Sequence, residues 1–270
     1  MSTAELSCLN FGTLDTIDVR GTDIEIFRAG SGAPLLFLHG IDSLEGAAAG
    51  IRELAKSFEV IAPSHPGFGA SELPSYMDRV DDMGYFYLDM LDVLGLDAPA
   101  IAGTSFGAWV ACEMLTKEPA RASALVLASP LGIKTAERRE HWVTDIFMIS
   151  SQELADRLQV GPAEGPPLSE MAEWQMRRAL RADEALSLFG WTPYMCNPKL
   201  ASRLHRITCP TIVIWGDRDA IAEPEYSLRW RDALPNARVE LLAGAGHRSH
   251  FDKPAELAAL VSQFVAGVAK

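Results

Sequence analysis

Ala98-Pro99-Ala100-Ile101-Ala102-Gly103-Thr104-Ser105-Phe106-Gly107-Ala108-Trp109-Val110-Ala111 passes from a short apolar strand pattern, through a Gly-x-Ser-x-Gly pentapeptide, into a helical pattern. That context suits a serine carried on a sharp turn above the end of a buried strand. The residues two before and two after such a serine must be small, because the chain doubles back there, and Gly103 and Gly107 meet the requirement. The plainer alternative is that Ser105 only caps the helix that follows.

Around this turn the chain alternates two periodicities. Strand-like runs fall at 24–29, 34–39, 58–63, 98–103, 124–128, 211–215 and 238–243, and helix-like segments at 46–57, 81–94, 105–117, 226–234 and 254–268. From Leu35-Leu36-Phe37-Leu38 onward the strand runs are continuously apolar, as strands covered on both faces are. The expectation is an α/β fold with a mostly parallel central sheet flanked by helices. The rhythm breaks between 128 and 211, where four helical pieces are expected at 136–150, 152–158, 169–181 and 183–189. The core is therefore assigned to 1–130 and 206–270, with 131–205 an inserted helical subdomain on one face of the sheet.

The chain has 270 residues, 48% hydrophobic and 22% charged, enough apolar surface for a sizeable core and unlike a disordered chain. Twenty-four basic against 36 acidic residues give a net charge of -12, which repels nucleic-acid backbones and anionic membranes, so neither is expected as a partner. Cys8, Cys112, Cys196 and Cys209 are scattered without a Cys-x-x-Cys pair, which suggests neither a zinc site nor a disulfide framework. No basic-then-apolar leader opens the chain, and no apolar run nears the roughly 18 residues of a membrane span, so a soluble cytoplasmic protein is expected.

Three further turns follow apolar strands. His39-Gly40-Ile41-Asp42 is placed to aim backbone N–H groups above Ser105, and Ile41 and Phe106 are the expected oxyanion donors. Gly216-Asp217-Arg218-Asp219 and Gly244-Ala245-Gly246-His247 carry an acid and a base just past strand ends, where open α/β sheets bind ligands. A serine needs an imidazole to take its proton, and the imidazole needs a carboxylate to fix its tautomer. His247 and Asp219 fill these roles, with Asp217 the competing acid and His250 the competing base. A metal site from Asp217, Asp219, His247 and His250 lacks ligand spacing.

Taken in order, the strand before His39-Gly40, His65-Pro66-Gly67-Phe68-Gly69-Ala70-Ser71, the Ser105 turn, Gly216-Asp217-Arg218-Asp219 and Gly246-His247 resemble the α/β-hydrolase superfamily over nearly the whole chain. The resemblance implies Ser105 as nucleophile, His247 as base, Asp219 as acid, Ile41 and Phe106 as oxyanion hole, no cofactor, and a helical cap at 131–205. Serine at the turn speaks against the relatives with aspartate there, epoxide hydrolases and haloalkane dehalogenases. Two departures stand out. Relatives usually place proline four residues after the acid, whereas Pro224 comes five after Asp219. Ile41-Asp42-Ser43-Leu44 also replaces the Gly-Pro-Gly-like stretch frequent in hydrolases that cleave carbon–carbon bonds of ring-fission products.

Large apolar side chains in the insert, Trp142 and Trp191 among them, are candidates to contact substrate, as is His39, whose alternative is a structural histidine under the sheet edge. The same apolar residues could instead form a homodimer contact. Arg177, Arg178 and Arg181 read as a solvated helix face, and Asp42 and Ser43 lie beside the expected oxyanion turn. The expected activity is a serine hydrolase cleaving a small apolar or aromatic carboxylic ester through an acyl-enzyme. Alternatives are a carbon–carbon bond hydrolase for a vinylogous diketone and a slow-turnover, receptor-like ligand-binding protein.

Overall fold

A computed structural model describes residues 6–134, 143–161 and 170–268. Eight strands form one sheet: β1 (Thr13–Asp18), β2 (Asp23–Gly30), β3 (Ala33–Leu38), β4 (Phe58–Pro63), β5 (Ala100–Thr104), β6 (Ala124–Ala128), β7 (Thr211–Gly216) and β8 (Ala237–Leu242). Their order is β1-β2-β4-β3-β5-β6-β7-β8. The pairings β1–β2 and β2–β4 are antiparallel, and every other pairing is parallel. The α/β architecture is the expected one.

The helices are α1 (Ser43–Leu54), α2 (Val80–Val93), α3 (Phe106–Lys117), α4 (Ser151–Leu158), α5 (Glu173–Gly190), α6 (Tyr226–Ala233), α7 (Ser249–Asp252) and α8 (Pro254–Val268). Side-chain alternation along the strands sends Leu35 and Phe37 to a layer with α1 and α8, and Leu36 and Leu38 to a layer with α2, α3 and α6. Continuous apolar runs are thus needed because both faces are covered, and each fully buried Leu, Ile or Phe adds about 1.5–3 kcal/mol.

Three elements depart from the sequence expectations. β1 is an additional strand: only its Leu14 and Ile17 are even partly covered, so it carries little apolar signal. α5 is one continuous helix rather than two, because residues 173–189 contain neither Gly nor Pro and Ala182 and Ala185 pack inward. The piece expected at 136–150 is not helical where it is described: Val143 bridges Ala222 in antiparallel fashion, and turns and bends follow. Ser150 ends this stretch by capping α4, accepting a bond from the Glu153 N–H at 3.1 Å.

Arg178 ties α5 to β2 and α1. Its sequence pattern suggests a solvated face, but it is 7% exposed and donates two bonds to Glu25 of β2, at 2.7 and 2.9 Å, with a third to Glu45 of α1. Arg181 donates to the Ser71 carbonyl at 2.5 Å, and only Arg177 faces solvent, paired with Glu173.

Candidate active site

The turn after β5 forces the backbone of Ser105 into φ 50°, ψ -113°, a conformation that side chains rarely adopt. A Cβ on Gly107 would sit 2.2 Å from the Leu38 carbonyl oxygen, and one on Gly103 would sit 2.6 Å from the Ala108 Cα. Both glycines are required by close backbone approach. Ser105 makes no side-chain cap bond to α3. Its Oγ lies instead 2.8 Å from His247 Nε2.

His247 follows β8, and its Nδ1 donates to Asp219 Oδ2 at 2.8 Å. With Nδ1 protonated, Nε2 carries the lone pair that accepts from the serine hydroxyl. The other Asp219 oxygen accepts from the backbone N–H groups of Ile221 at 2.9 Å and Ala222 at 2.8 Å. Those bonds hold the Asp219 carboxylate in place despite the later proline. Asp217 points away and accepts from the Gly244 N–H at 2.7 Å, tying the β7 and β8 turns together. His250 is also directed elsewhere, its Nε2 lying 2.8 Å from Asp42 Oδ2. Ser105, His247 and Asp219 are all buried, at 4%, 3% and 7% exposure.

The His39-Gly40 turn packs directly on this group: a Cβ on Gly40 would lie 3.2 Å from the Ser105 Cβ. Among the described residues, nothing accepts a hydrogen bond from the backbone N–H of Ile41 or Phe106. Phe106 opens α3, where first-turn N–H groups have no intrahelical partner and the helix dipole favours negative charge.

The His39 side chain does not face the site. Its Nδ1 donates to the Gly40 carbonyl at 2.7 Å, and its Nε2 accepts from the His65 N–H at 3.0 Å. Burial pushes its pKa down to about 4, so it is a neutral pin between two loops rather than a substrate contact. His65 repeats the device, donating to the His39 carbonyl at 2.9 Å and accepting from Tyr87 at 2.6 Å. Trp191 is likewise displaced from the expected position. It ends α5 at 59% exposure and packs on Phe147, while Phe189 turns inward to within 6.2 Å of the Phe106 ring. Trp142 lies outside the described residues.

Asp42 is not free to meet substrate. Burial opposes its charge, but His250 and Arg248 beside it hold the carboxyl well below the usual range. No local pattern singles out Arg248 in the sequence, although it directly follows His247.

A deeply buried serine, imidazole and carboxylate at the ends of three parallel strands, joined in one hydrogen-bonded row, form a constellation suited to acyl transfer. Residues 35–260 match the alpha/beta hydrolase family, and the chain belongs to it. It is 28% identical, over 93% of its length and 68% of the relative's, to the dihydrolipoyllysine-residue acetyltransferase component of the acetoin cleaving system of Cupriavidus necator. It is 26% identical to a 2-hydroxymuconate semialdehyde hydrolase from a Pseudomonas species, covering 91% of each chain. Carboxylesterase CesB from Bacillus subtilis shares the fold, with a TM-score of 0.77 at 19% identity over 98% of this chain and 95% of that one. Among the described residues, no helix is long and apolar enough to cross a membrane.

Proposed function

We propose that this protein is a serine hydrolase that cleaves a small, apolar or aromatic carboxylic ester through an acyl-enzyme. The observation that carries this reading is the unbroken row Ser105 Oγ–His247 Nε2 and His247 Nδ1–Asp219, at 2.8 Å in each link. His247 takes the Ser105 proton as Oγ attacks the acyl carbon, and Asp219 stabilises the imidazolium. The negative oxygen of the tetrahedral intermediate is received by the N–H groups of Ile41 and Phe106, each contributing about 3–4 kcal/mol. His247 then protonates the departing alkoxide. Water, deprotonated by the same imidazole, attacks the acyl-serine, releases the acid and returns the proton to Ser105. This sequence calls on no cofactor. We take 131–205 as a cap over the site, with Phe189 contributing to the apolar wall beside Phe106. The free state of all four cysteines fits a reducing, cytoplasmic setting.

The likeness to a 2-hydroxymuconate semialdehyde hydrolase favours a second reading, carbon–carbon cleavage of a vinylogous diketone by the same residues. Ile41-Asp42-Ser43-Leu44 at the oxyanion turn weighs against it. A chain-length series of p-nitrophenyl esters, run beside a ring-fission diketone, separates the two. Turnover of esters alone supports the ester reading, and preferential diketone cleavage supports the second.

A further inference from the structure

Three segments with no sequence proximity meet at Arg248. Its guanidinium donates from Nε to Asp42 Oδ2 at 3.0 Å, from Nη1 to Gln159 Oε1 at 2.9 Å, and from Nη2 to the Gly46 carbonyl at 3.1 Å. Its own backbone N–H reaches the Leu158 carbonyl at 2.8 Å. Asp252, four residues on, accepts from the backbone N–H of Val160 at 3.1 Å and of Gly246 at 2.7 Å. The loop bearing His247 is thereby tied on one side to the end of α4 in the insert. On the other side it is tied to Asp42, the residue next to Ile41.

The planar fork matters here. A lysine offers one point charge and cannot span a carboxylate, an amide oxygen and a backbone carbonyl in fixed directions. The side chains of Arg248 and Asp42 are 14% and 7% exposed, and the Arg248 guanidinium also stacks 4.3 Å from the Phe251 ring centre. Such a pair is poorly screened and holds its geometry.

We propose that Arg248 is a positioning residue that couples the seat of the insert to the His247 loop and the Ile41 turn, so that base and oxyanion donor are aligned together. The inference rests on the serine hydrolase reading. It goes beyond it by placing control of the alignment in a cap-to-core latch that does not touch substrate.

The test compares p-nitrophenyl butyrate turnover by wild type, Arg248→Ala, Arg248→Lys, Asp42→Asn and the Asp42→Asn/Arg248→Ala double variant. Misalignment by a fraction of an ångström lowers kcat rather than binding, so Arg248→Ala should lose about 10- to 100-fold in kcat with KM changed less than about threefold. Added ethylguanidinium should restore part of the loss, Arg248→Lys should fall between, and the double variant should be no slower than the slower single one. A purely structural role predicts a lower melting temperature with unchanged kcat per folded molecule and no ethylguanidinium rescue, and that result overturns the proposal. Should Arg248→Ala not fold, Arg248→Lys decides: a several-fold loss of kcat supports the latch, and wild-type kcat overturns it. A wild type inert to esters and to serine-directed labels instead removes the hydrolase reading beneath it.

Discussion

Arg178 and Glu25 lie 153 positions apart in sequence, yet form a two-pronged ion pair in which both side chains are more than nine-tenths buried. One end belongs to α5 and the other to β2. Replacing one partner strands the other charge away from water, which costs about 3–5 kcal/mol. Arg178→Met is therefore expected to lower unfolding stability by that amount in urea titrations, and the exposed Arg177→Met by under about 0.5 kcal/mol.

The acid assignment separates two aspartates two residues apart. Asp219→Asn keeps an acceptor for the Ile221 and Ala222 N–H groups but cannot hold His247 in the required tautomer. A fall in kcat of about 10³- to 10⁴-fold is expected with the fold retained. Asp217→Asn, which only loosens the bond to Gly244, should stay within about fivefold of wild type. Equal losses in the two variants would contradict the assignment.

The turn makes its own demand. Gly107→Ala would drive a Cβ into the Leu38 and His39 carbonyl oxygens, at 2.2 and 2.4 Å, and neither oxygen belongs to a flexible side chain. We expect loss of more than about 3 kcal/mol or failure to fold, read by circular dichroism and thermal melting. A Gly107→Ala protein of wild-type stability would mean that α3 does not cross β3 this closely.

These residues also show what a single sequence reveals. Ser105, His247 and Asp219 are legible because each sits in a glycine-marked turn directly after an apolar run, where local pattern and chemistry coincide. Arg178 is not, since a helical pattern of Arg177, Arg178 and Arg181 does not say which of the three meets a carboxylate folded in from β2. The exposure of Trp191 and the burial of Phe189 escape the sequence pattern for a similar reason. Both are large and apolar near the end of α5, and only packing decides which turns inward. β1 escapes because an exposed strand carries almost no hydrophobic alternation.

Burial holds His39 neutral, with its pKa down to about 4 from 6.5, and pushes His65 well below its ordinary value. Between those values the unfolded chain binds protons that the folded state refuses, so this contribution is complete above pH 6.5 and lost progressively as pH falls toward 4. For His39 alone it is about 3 kcal/mol across the window. Urea unfolding at several pH values should show wild-type stability falling more steeply on acidification than that of His39→Gln. Parallel curves would contradict the assignment of His39 as a buried neutral pin.

Intact-mass measurement after fluorophosphonate treatment reads out whether Ser105 is the nucleophile. Wild type should gain the mass of one adduct and lose ester turnover in proportion, while Ser105→Ala should gain nothing and turn over no ester. A folded wild type that takes up no adduct, or a Ser105→Ala protein that is labelled and active like wild type, would contradict that role.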